Sequence, residues 1–271
     1  MGAINHLMSA MKKLRPSSLL YSTYETRVVK QFEKDQLPKH VAVLADGNRR
    51  WARMNAPDQP LVTGYQAGAD KLRQLVSWCA EVGGIEVVTL WVLSTDNLSR
   101  SAEDELDPLL GVIADLVASL SSSGLGTVQL VGDVSLLPDE IASRMLADSQ
   151  ASQSVAGPLH INIAVAYGGR HEIRNALREL LADAAHRGIT TQELAETLET
   201  DQIAQHLYTA GQPDPDLLIR TSGEQRLSGF MMWQSAHSEL YFCEALWPDF
   251  RRIDFYRALR SFSQRERRYG K

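Results

Sequence analysis

The chain has 271 residues, of which 44% are hydrophobic and 23% charged, with 18 glycines and 10 prolines. These values are typical of a globular protein and exclude collagen-like, low-complexity and disordered classes. The net charge of −5 is uneven: residues 1–30 carry +4 (five basic, one acidic), residues 251–271 carry +6 (eight basic, two acidic), and the middle carries −15. The basic ends indicate anionic ligands, but no basic stripe with interleaved aromatics predicts nucleic-acid binding.

The two cysteines, Cys79 and Cys243, are too few for a disulfide framework or a cysteine-based zinc site. This content favours a reducing, cytoplasmic compartment. The apolar runs are far shorter than the roughly 20 residues of a membrane-spanning helix, and we expect no export signal. A helical extension is expected over residues 1–37. It is either a simple terminal tether or a peripheral contact with anionic lipid at the inner face of the membrane.

Apolar runs alternate along the chain with amphipathic helical patterns. The runs that predict strands cover residues 40–45, 85–93, 126–131, 160–166, 216–220 and 239–243. The patterns that predict helices cover residues 68–82, 106–120, 139–151, 172–187, 191–198, 201–207 and 254–267. This alternation predicts a single α/β domain over residues 38–271, with a mostly parallel central sheet flanked by helices.

Polar clusters follow four of the predicted strands. They cover residues 46–51, 94–100, 167–170 and 220–228. Ligands of parallel sheets bind beyond the carboxyl ends of the strands, so we expect these clusters to form one site. The sequence lacks a dinucleotide-binding glycine fingerprint, a P-loop, a zinc-protease H-E-x-x-H motif and a nucleophile elbow. Nucleotide-dependent, zinc-protease and serine-hydrolase chemistries are therefore not predicted.

Arginines beside small residues are the positive signal in these clusters. The segment from Asp46 to Trp51 offers a glycine, consecutive N–H groups and two guanidinium groups, and the segment from Arg220 to Ser228 adds two arginines and hydroxyl groups. Such groups suit diphosphates, although each segment alone would also fit an ordinary turn or a solvated loop. Two diphosphates side by side need a divalent cation, and the carboxylates of Asp46 and Glu239 are hard ligands of the kind that Mg²⁺ prefers. A simple ion pair is the other interpretation of Glu239.

Five segments, taken in order, resemble the cis-prenyltransferase, or undecaprenyl diphosphate synthase, family. The motifs are His40-Val-Ala-Val-Leu-Ala-Asp-Gly-Asn-Arg-Arg-Trp-Ala, Gly64-Tyr-Gln-Ala-Gly, Leu93-Ser-Thr-Asp-Asn-Leu-Ser-Arg, Asn162-Ile-Ala-Val-Ala-Tyr-Gly-Gly-Arg and Asp216-Leu-Leu-Ile-Arg-Thr-Ser-Gly-Glu, followed by Trp247-Pro-Asp-Phe. The resemblance covers residues 38–270 and implies a sheet with a hydrophobic tunnel. It also implies a Mg²⁺-dependent condensation of isopentenyl diphosphate with an allylic diphosphate that creates a Z double bond.

The resemblance also implies roles for individual residues. Asp46 and Asn97 would be catalytic, with Asp46 and Glu239 at Mg²⁺. The residues implied to bind the substrates are Gly47, Asn48, Arg49, Arg50, Trp51, Tyr65, Ser94, Thr95, Asp96, Arg100, Arg220, Arg226, Leu227, Ser228, Arg268 and Gly270. Among these, the carboxyl-terminal Arg268 and Gly270 would reach across a homodimer.

Departures from the family pattern bear on product length. Val92 stands where long-chain members usually carry a small alanine, beside Leu93, and Leu98 replaces a usual tryptophan. These residues would raise the floor of the tunnel. The Asp-Gly-Asn-Arg-Arg-Trp and Asn-Leu-x-Arg variants resemble the actinobacterial short-chain enzymes that make Z,E-farnesyl diphosphate from geranyl diphosphate. A short-chain product is therefore predicted, while a medium- or long-chain (decaprenyl or undecaprenyl) product stays open, as does a non-catalytic prenyl-binding partner subunit.

Overall fold

The computed structural model describes residues 36–100, 102–154 and 156–264. Six parallel strands form one sheet in the order β3-β4-β2-β1-β5-β6. The strands are β1 (His40–Leu44), β2 (Val87–Trp91), β3 (Gly126–Val131), β4 (Leu159–Ala164), β5 (Leu217–Arg220) and β6 (Glu239–Phe242). The prediction of a parallel α/β sheet is confirmed, and all six predicted strands are present.

Helices cover the sheet. They are α1 (Asn48–Asn55), α2 (Val62–Val82), α3 (Asp107–Ser121), α4 (Asp139–Ser152), α5 (Gly169–His186), α6 (Thr191–Thr197), α7 (Thr200–Ala204) and α8 (Arg252–Ser263). The sequence analysis missed α1, because its residues were assigned to the loop that follows the first strand. The predicted extension over residues 1–37 lies outside the described residues except for its last two. No helix of the described segments is long and apolar enough to cross a membrane.

Strands β1, β2, β4 and β5 are buried on both faces, which explains their near-continuous apolar sequence. Along β1, Val41 and Val43 belong to the large core on one face, whereas Ala42 and Leu44 belong to a smaller apolar cluster on the other. The large core packs α2, α3 and α8 against the sheet. Alternation of side chains along a strand produces this division, because successive residues point to opposite faces.

Strand β1 lies at the centre of the sheet, between β2 and β5. The chain builds outward from β1 to β2, β3 and β4 on one side, and then crosses to β5 and β6 on the other side. The crevice at such a change of direction is where open α/β sheets bind ligands. The carboxyl ends of β1, β2 and β5 therefore face one common site.

Helix α1 packs unusually close to α2. A Cβ atom at Gly68 would lie 2.4 Å from the side-chain oxygen of Asn48, so any larger residue there would displace the Asn48 side chain. Gly47, which precedes α1, has a φ angle of 114°, a conformation that favours glycine. These two glycines bring the first turn of α1 against the sheet edge, which places consecutive arginines beside the end of β1.

A buried polar network crosses the sheet on the face of the smaller cluster. His40 Nδ1 donates to the carbonyl oxygen of Pro213 at 2.7 Å, so its Nε2 accepts the hydroxyl hydrogen of Thr89 at 2.8 Å. Thr89 in turn accepts a hydrogen bond from Asn162 at 3.0 Å. Burial lowers the pKa of His40 to about 4 from its ordinary value of 6.5. The imidazole is consequently neutral in the folded protein at neutral pH.

We predict that this histidine makes the protein less stable in mild acid. Below pH 6.5 the unfolded chain binds a proton at His40 that the folded protein does not bind until about pH 4. Between pH 7 and pH 5 the free energy of unfolding should therefore fall by about 2 kcal/mol more in the wild type than in His40→Gln. Urea unfolding at the two pH values measures this difference.

The matched control is His186→Gln, which alters an exposed histidine in the last turn of α5. This variant should retain the pH dependence of the wild type. Equal pH dependence in His40→Gln and the wild type would show that His40 does not titrate as the buried network requires.

Candidate active site

A cavity of about 610 Å³ opens at the carboxyl ends of β1, β2 and β5. Its lining includes most of the predicted site residues: Asp46, Gly47, Asn48, Arg49, Arg50, Tyr65, Val92, Leu93, Ser94, Asn97, Arg100, Arg220, Arg226 and Ser228. Six arginines face two carboxylates, Asp46 and Glu224, in this lining. The cavity is therefore strongly positive and suits polyanionic ligands.

Arg220 and Asp46 form the centre of the cavity. The side chain of Arg220 is 2% exposed, and its Nη2 lies 3.2 Å from Oδ2 of Asp46. Arg50 Nη2 lies 3.8 Å from the same oxygen. Burial lowers the pKa of the Arg220 guanidinium, and the Asp46 carboxylate opposes that shift, so the ion pair persists at neutral pH. The Asp46 side chain is 37% exposed and lines the cavity.

The backbone of Asp46 is fixed from two sides. Its N–H donates to Thr221 Oγ1 at 3.0 Å, and its carbonyl oxygen accepts from the Thr221 hydroxyl at 2.8 Å and from the N–H of Trp247 at 3.0 Å. Thr221 directly follows β5. The register that pairs Leu44 with Arg220 therefore also aligns Asp46 with the loop after β5.

The loop after β5 is strained and strongly held. Ser228 has a φ angle of 51°, a left-handed conformation that costs a serine about 1–3 kcal/mol. Arg220 Nη1 donates to Ser228 Oγ at 2.8 Å and to the carbonyl oxygen of Arg226. These bonds to a buried guanidinium offset the strain, and they turn the hydroxyl of Ser228 and the side chain of Arg226 into the cavity.

A second chain of hydrogen bonds anchors the far end of the same loop. The N–H of Met231 donates to Tyr167 Oη at 3.1 Å, and Tyr167 donates to Oε2 of the buried Glu172 at 2.5 Å. Burial raises the pKa of Glu172, while its hydrogen-bond donors oppose the shift. Phe230 stacks on Trp91 with ring centroids 5.0 Å apart. The loop is therefore fixed before any ligand binds.

Ser94 orients Asn97 at the end of β2. The Ser94 side chain accepts from the N–H of Asn97 at 3.3 Å and caps the short 3₁₀ turn Thr95–Ser99. Both side chains face the cavity. The polar cluster predicted after the second strand therefore contributes to the same site as Asp46 and Arg220.

An apolar side cavity of about 30 Å³ adjoins the main cavity. Residues at the ends of β1 and β2 and on α1, α2 and α3 form its walls: Ala45, Asn48, Tyr65, Gly68, Ala69, Leu72, Trp91, Val92, Leu109, Val112, Ile113 and Leu116. Six of these also line the main cavity. The site thus joins the cationic main cavity to a small apolar side cavity. This arrangement suits a ligand with a charged head and a hydrocarbon tail.

Several predicted site residues lie elsewhere. Trp51 donates from Nε1 to Asp249 at 2.9 Å and docks α1 on the Trp247–Asp249 turn. Thr95, Asp96 and Leu227 do not line the cavity, and Leu98 packs against the large core rather than lining either cavity. Arg268 and Gly270 lie outside the described residues.

Glu239 does not lie beside Asp46 in the folded chain. It is the first residue of β6 and pairs with Leu217, whereas Asp46 lies beyond Leu44, which pairs with Arg220 three residues farther along β5. At about 3.3 Å per residue, the two carboxylates sit at opposite ends of the strands. Within one chain, the structure therefore does not bring the two predicted metal ligands together.

The residues at the cavity fit a metal that arrives with phosphate. The described part of the chain contains no group of three His, Cys, Asp or Glu residues that could cage a metal ion. Asp46 supplies one carboxylate that is open to the cavity. Mg²⁺ is commonly bound by one or two carboxylates, with substrate phosphates and waters completing its shell. The donor set therefore suits Mg²⁺ bound together with a diphosphate.

Two residues at the cavity were missed by the sequence analysis. Arg53 lies four residues after Arg49 on α1, and Glu224 lies in the loop after β5. Helical spacing of the arginines would have revealed Arg53 if α1 had been predicted. No sequence pattern distinguishes Glu224 from a solvated loop residue.

Comparison with known proteins yields a consistent set of relatives. The family model described as putative undecaprenyl diphosphate synthase matches residues 44–270. A (2Z,6E)-farnesyl diphosphate synthase of Thermobifida fusca is 54% identical over 93% of this chain and 97% of its own. The enzyme of the same name from Mycolicibacterium smegmatis is 48% identical over 93% of this chain and 95% of its own. The crystal structure of lavandulyl diphosphate synthase from Lavandula x intermedia, in complex with dimethylallyl diphosphate, superposes with a TM-score of 0.79 at 35% identity, covering 88% of this chain and 100% of that one.

We predict that inorganic diphosphate with Mg²⁺ binds this cavity and raises the melting temperature of the protein. Arg226→Gln should weaken diphosphate binding about tenfold, because a charged hydrogen bond contributes about 1.5–3 kcal/mol. A thermal-shift titration with diphosphate measures both effects.

Arg187→Gln is the matched control, because the side chains of Arg187 and Arg226 are each 65% exposed and each contacts a neighbouring carboxylate. Arg187 lies outside the cavity, directly after α5. Equal weakening of diphosphate binding in the two variants would show that Arg226 acts only through general surface charge.

Proposed function

The chain belongs to the undecaprenyl diphosphate synthase family of prenyltransferases, and we propose that it is a short-chain cis-prenyltransferase. It condenses isopentenyl diphosphate with an allylic diphosphate, geranyl diphosphate, and gives Z,E-farnesyl diphosphate and diphosphate. One observation carries this proposal: the cationic cavity continues into an apolar side cavity of only about 30 Å³. The farnesyl diphosphate synthases among its relatives support the same product.

We assign the allylic substrate to the α1 side of the cavity. Asn48 and Tyr65 line both the main and the side cavity, so a diphosphate bound beside them has its hydrocarbon tail directed at the apolar walls. Gly47, Arg49 and Arg50 lie on the same side. Arg220 ends β5, Arg226 and Ser228 lie in the loop after it, and the three residues suit the diphosphate of isopentenyl diphosphate.

The reaction breaks the allylic C–O bond and leaves its electron pair on the departing diphosphate. The double bond of isopentenyl diphosphate attacks the allylic carbon, and the C2 proton is then lost to form the new Z double bond. Negative charge grows on the leaving group as the C–O bond breaks. Arginines fixed before binding stabilise that charge without reorganisation, and this is commonly the largest contribution to catalysis.

Asp46 is the residue that would hold Mg²⁺, together with phosphate oxygens of the substrates. When bound, the cation would supply neutralisation of diphosphate charge. The ion pair with Arg220 holds the Asp46 carboxylate in a fixed orientation.

Asn97 has an orienting role in this scheme. A carboxamide has no basic site that could remove the C2 proton, but its oxygen and nitrogen can position a water molecule or a diphosphate oxygen. Ser94 fixes the turn that carries Asn97. The proton therefore leaves to water or to a diphosphate oxygen beside Asn97, and these two acceptors both fit the site.

Features beyond the cavity stay proposals. We propose that residues 38–271 form the catalytic domain and residues 1–37 a helical extension. We also propose a homodimer in which Arg268 and Gly270 of one copy reach the other. The cytoplasmic location and the peripheral contact with membrane lipid stay predictions from the sequence.

We predict that the purified protein incorporates labelled isopentenyl diphosphate into a C15 product when geranyl diphosphate and Mg²⁺ are present. Asp46→Ala should lower kcat roughly a hundredfold or more, because it removes both the metal ligand and the partner of Arg220. Chelation of Mg²⁺ should abolish turnover. Thin-layer chromatography of the labelled products measures rate and length together.

Asp115→Ala is the control, because Asp115 forms an exposed ion pair with Arg144 on the far side of α3. It should leave turnover unchanged. Absence of product with every allylic diphosphate would support the non-catalytic partner-subunit class instead, and products of C50 or longer would contradict the short-chain assignment.

We also predict that Val92→Ala shifts the products towards longer chains by one or a few isoprene units. Val92 lines both cavities, so its truncation deepens the apolar one. The control is Val87→Ala, which truncates a buried valine of β2 that lines neither cavity. Unchanged product length in Val92→Ala would place the limit elsewhere in the walls.

A further inference from the structure

Four side chains from four separate segments meet at one corner of the main cavity. Glu105, in the helical turn Ala102–Leu106 before α3, accepts a hydrogen bond from Tyr65 at 2.5 Å. Arg100 Nη1 lies 3.0 Å from the same oxygen, Oε1, and donates to Tyr65 Oη at 3.2 Å. Arg49 Nη1 lies 3.5 Å from Oε1. A single carboxylate oxygen therefore ties together α1, α2 and the loop after β2.

The carboxylate sits behind the cavity lining rather than in it. Arg49, Tyr65 and Arg100 line the cavity, whereas Glu105 does not and is 15% exposed. The Arg100 side chain is 16% exposed and needs a counter-ion for its charge. Burial and the hydrogen bond to Glu105 both raise the pKa of Tyr65 above its ordinary value, so Tyr65 stays a phenol that donates to Glu105.

The contacts leave most of each guanidinium available. Among the described residues, Arg100 and Arg49 use only Nη1 for these contacts, and no protein partner binds their Nε and Nη2 atoms. An arginine held by one nitrogen presents its other N–H groups in a fixed direction. Such fixed forks bind phosphate oxygens without paying for side-chain ordering at the moment of binding.

The position of the cluster selects one substrate. Tyr65 lines both the main cavity and the apolar side cavity, whereas Arg220, Arg226 and Ser228 line only the main cavity. An anion held by Arg49 and Arg100 therefore has the apolar walls beside it. The ligand that fits this position is the allylic diphosphate, because its hydrocarbon tail is the one that grows in the proposed reaction.

We propose that Glu105 is a positioning residue for the allylic diphosphate. Its carboxylate holds Arg49 directly, and it holds Arg100 both directly and through Tyr65. This inference rests on the proposed function and extends it to a residue that does not touch the substrate. A carboxylate this close to an anion site would repel the ligand if it stood alone. Here two guanidinium groups neutralise the Glu105 carboxylate. Removal of one member of a shielded ion pair destabilises the site by more free energy than the intact pair contributes, because the other charge is left unpaired.

The test compares Glu105→Ala and Glu105→Gln with the wild-type full chain. Isothermal titration with geranyl diphosphate and Mg²⁺, without isopentenyl diphosphate, gives the dissociation constant for the allylic substrate. Glu105→Ala should raise it at least tenfold, while the KM for isopentenyl diphosphate stays within threefold. Glu105→Gln keeps an acceptor for Tyr65 but loses the charge, so its dissociation constant should lie between those of the wild type and Glu105→Ala.

Glu81→Gln is the matched control, because Glu81 forms an ion pair with Arg252 remote from the cavity. It should leave both substrates unaffected. In the double variant Glu105→Ala with Arg100→Ala, the dissociation constant for geranyl diphosphate should rise by less than the product of the two single-variant increases. The reason is that the two residues act together.

Two results would overturn the role of Glu105. One is unchanged binding of geranyl diphosphate in Glu105→Gln, and the other is an equal weakening for both substrates. If Glu105→Ala fails to fold, the Gln variant decides between these results. A wild-type protein that neither binds geranyl diphosphate nor makes product would instead overturn the proposed function itself, so the two failures are distinct.

Discussion

A buried guanidinium at the end of a central strand determines the form of the site. Arg220 ends β5, is 2% exposed in its side chain, and pairs with the carboxylate that follows β1. It also holds the strained loop that carries Ser228. A cation in that position is tolerated only because its partners are fixed by the register of two parallel strands. Substrate recognition on both sides of the cavity therefore depends on the pairing of β1 with β5.

The site separates charge from hydrocarbon by using different elements for each. Loops and helix starts at the sheet edge supply the arginines, whereas α2, α3 and the end of β2 supply the apolar walls. The close packing of α1 on Gly68 joins the two regions, because Asn48 borders both cavities. The site can thereby align an amphiphilic ligand, with its charged head among the arginines and its tail against the apolar walls.

The sequence predicted the strands and helices more completely than it predicted where their side chains lie. The six strands and the convergence of Asp46, Asn97, Arg100 and Arg220 follow from βα alternation and from the rule that ligands bind at strand ends. Periodicity cannot report register, however, and register decides that Glu239 lies at the opposite end of the sheet from Asp46.

Other differences between the predicted site and the structure have equally local causes. Trp51 belongs to a motif rich in cavity residues, yet helix α1 turns it towards Asp249. Glu105 has no motif of its own, because its role depends on three arginine and tyrosine contacts from segments distant in sequence. Roles of this kind emerge only from tertiary packing. The energetics of chain growth depend on the same packing: each isoprene unit adds five carbons and gains about 4 kcal/mol from burial, whereas overpacking around one side chain typically costs only about 1–3 kcal/mol. A single bulky residue such as Val92 therefore cannot end elongation alone. Its effect requires the support of Leu109, Ile113 and Leu116 on α3, so product length is a property of how firmly α2 and α3 pack against the sheet.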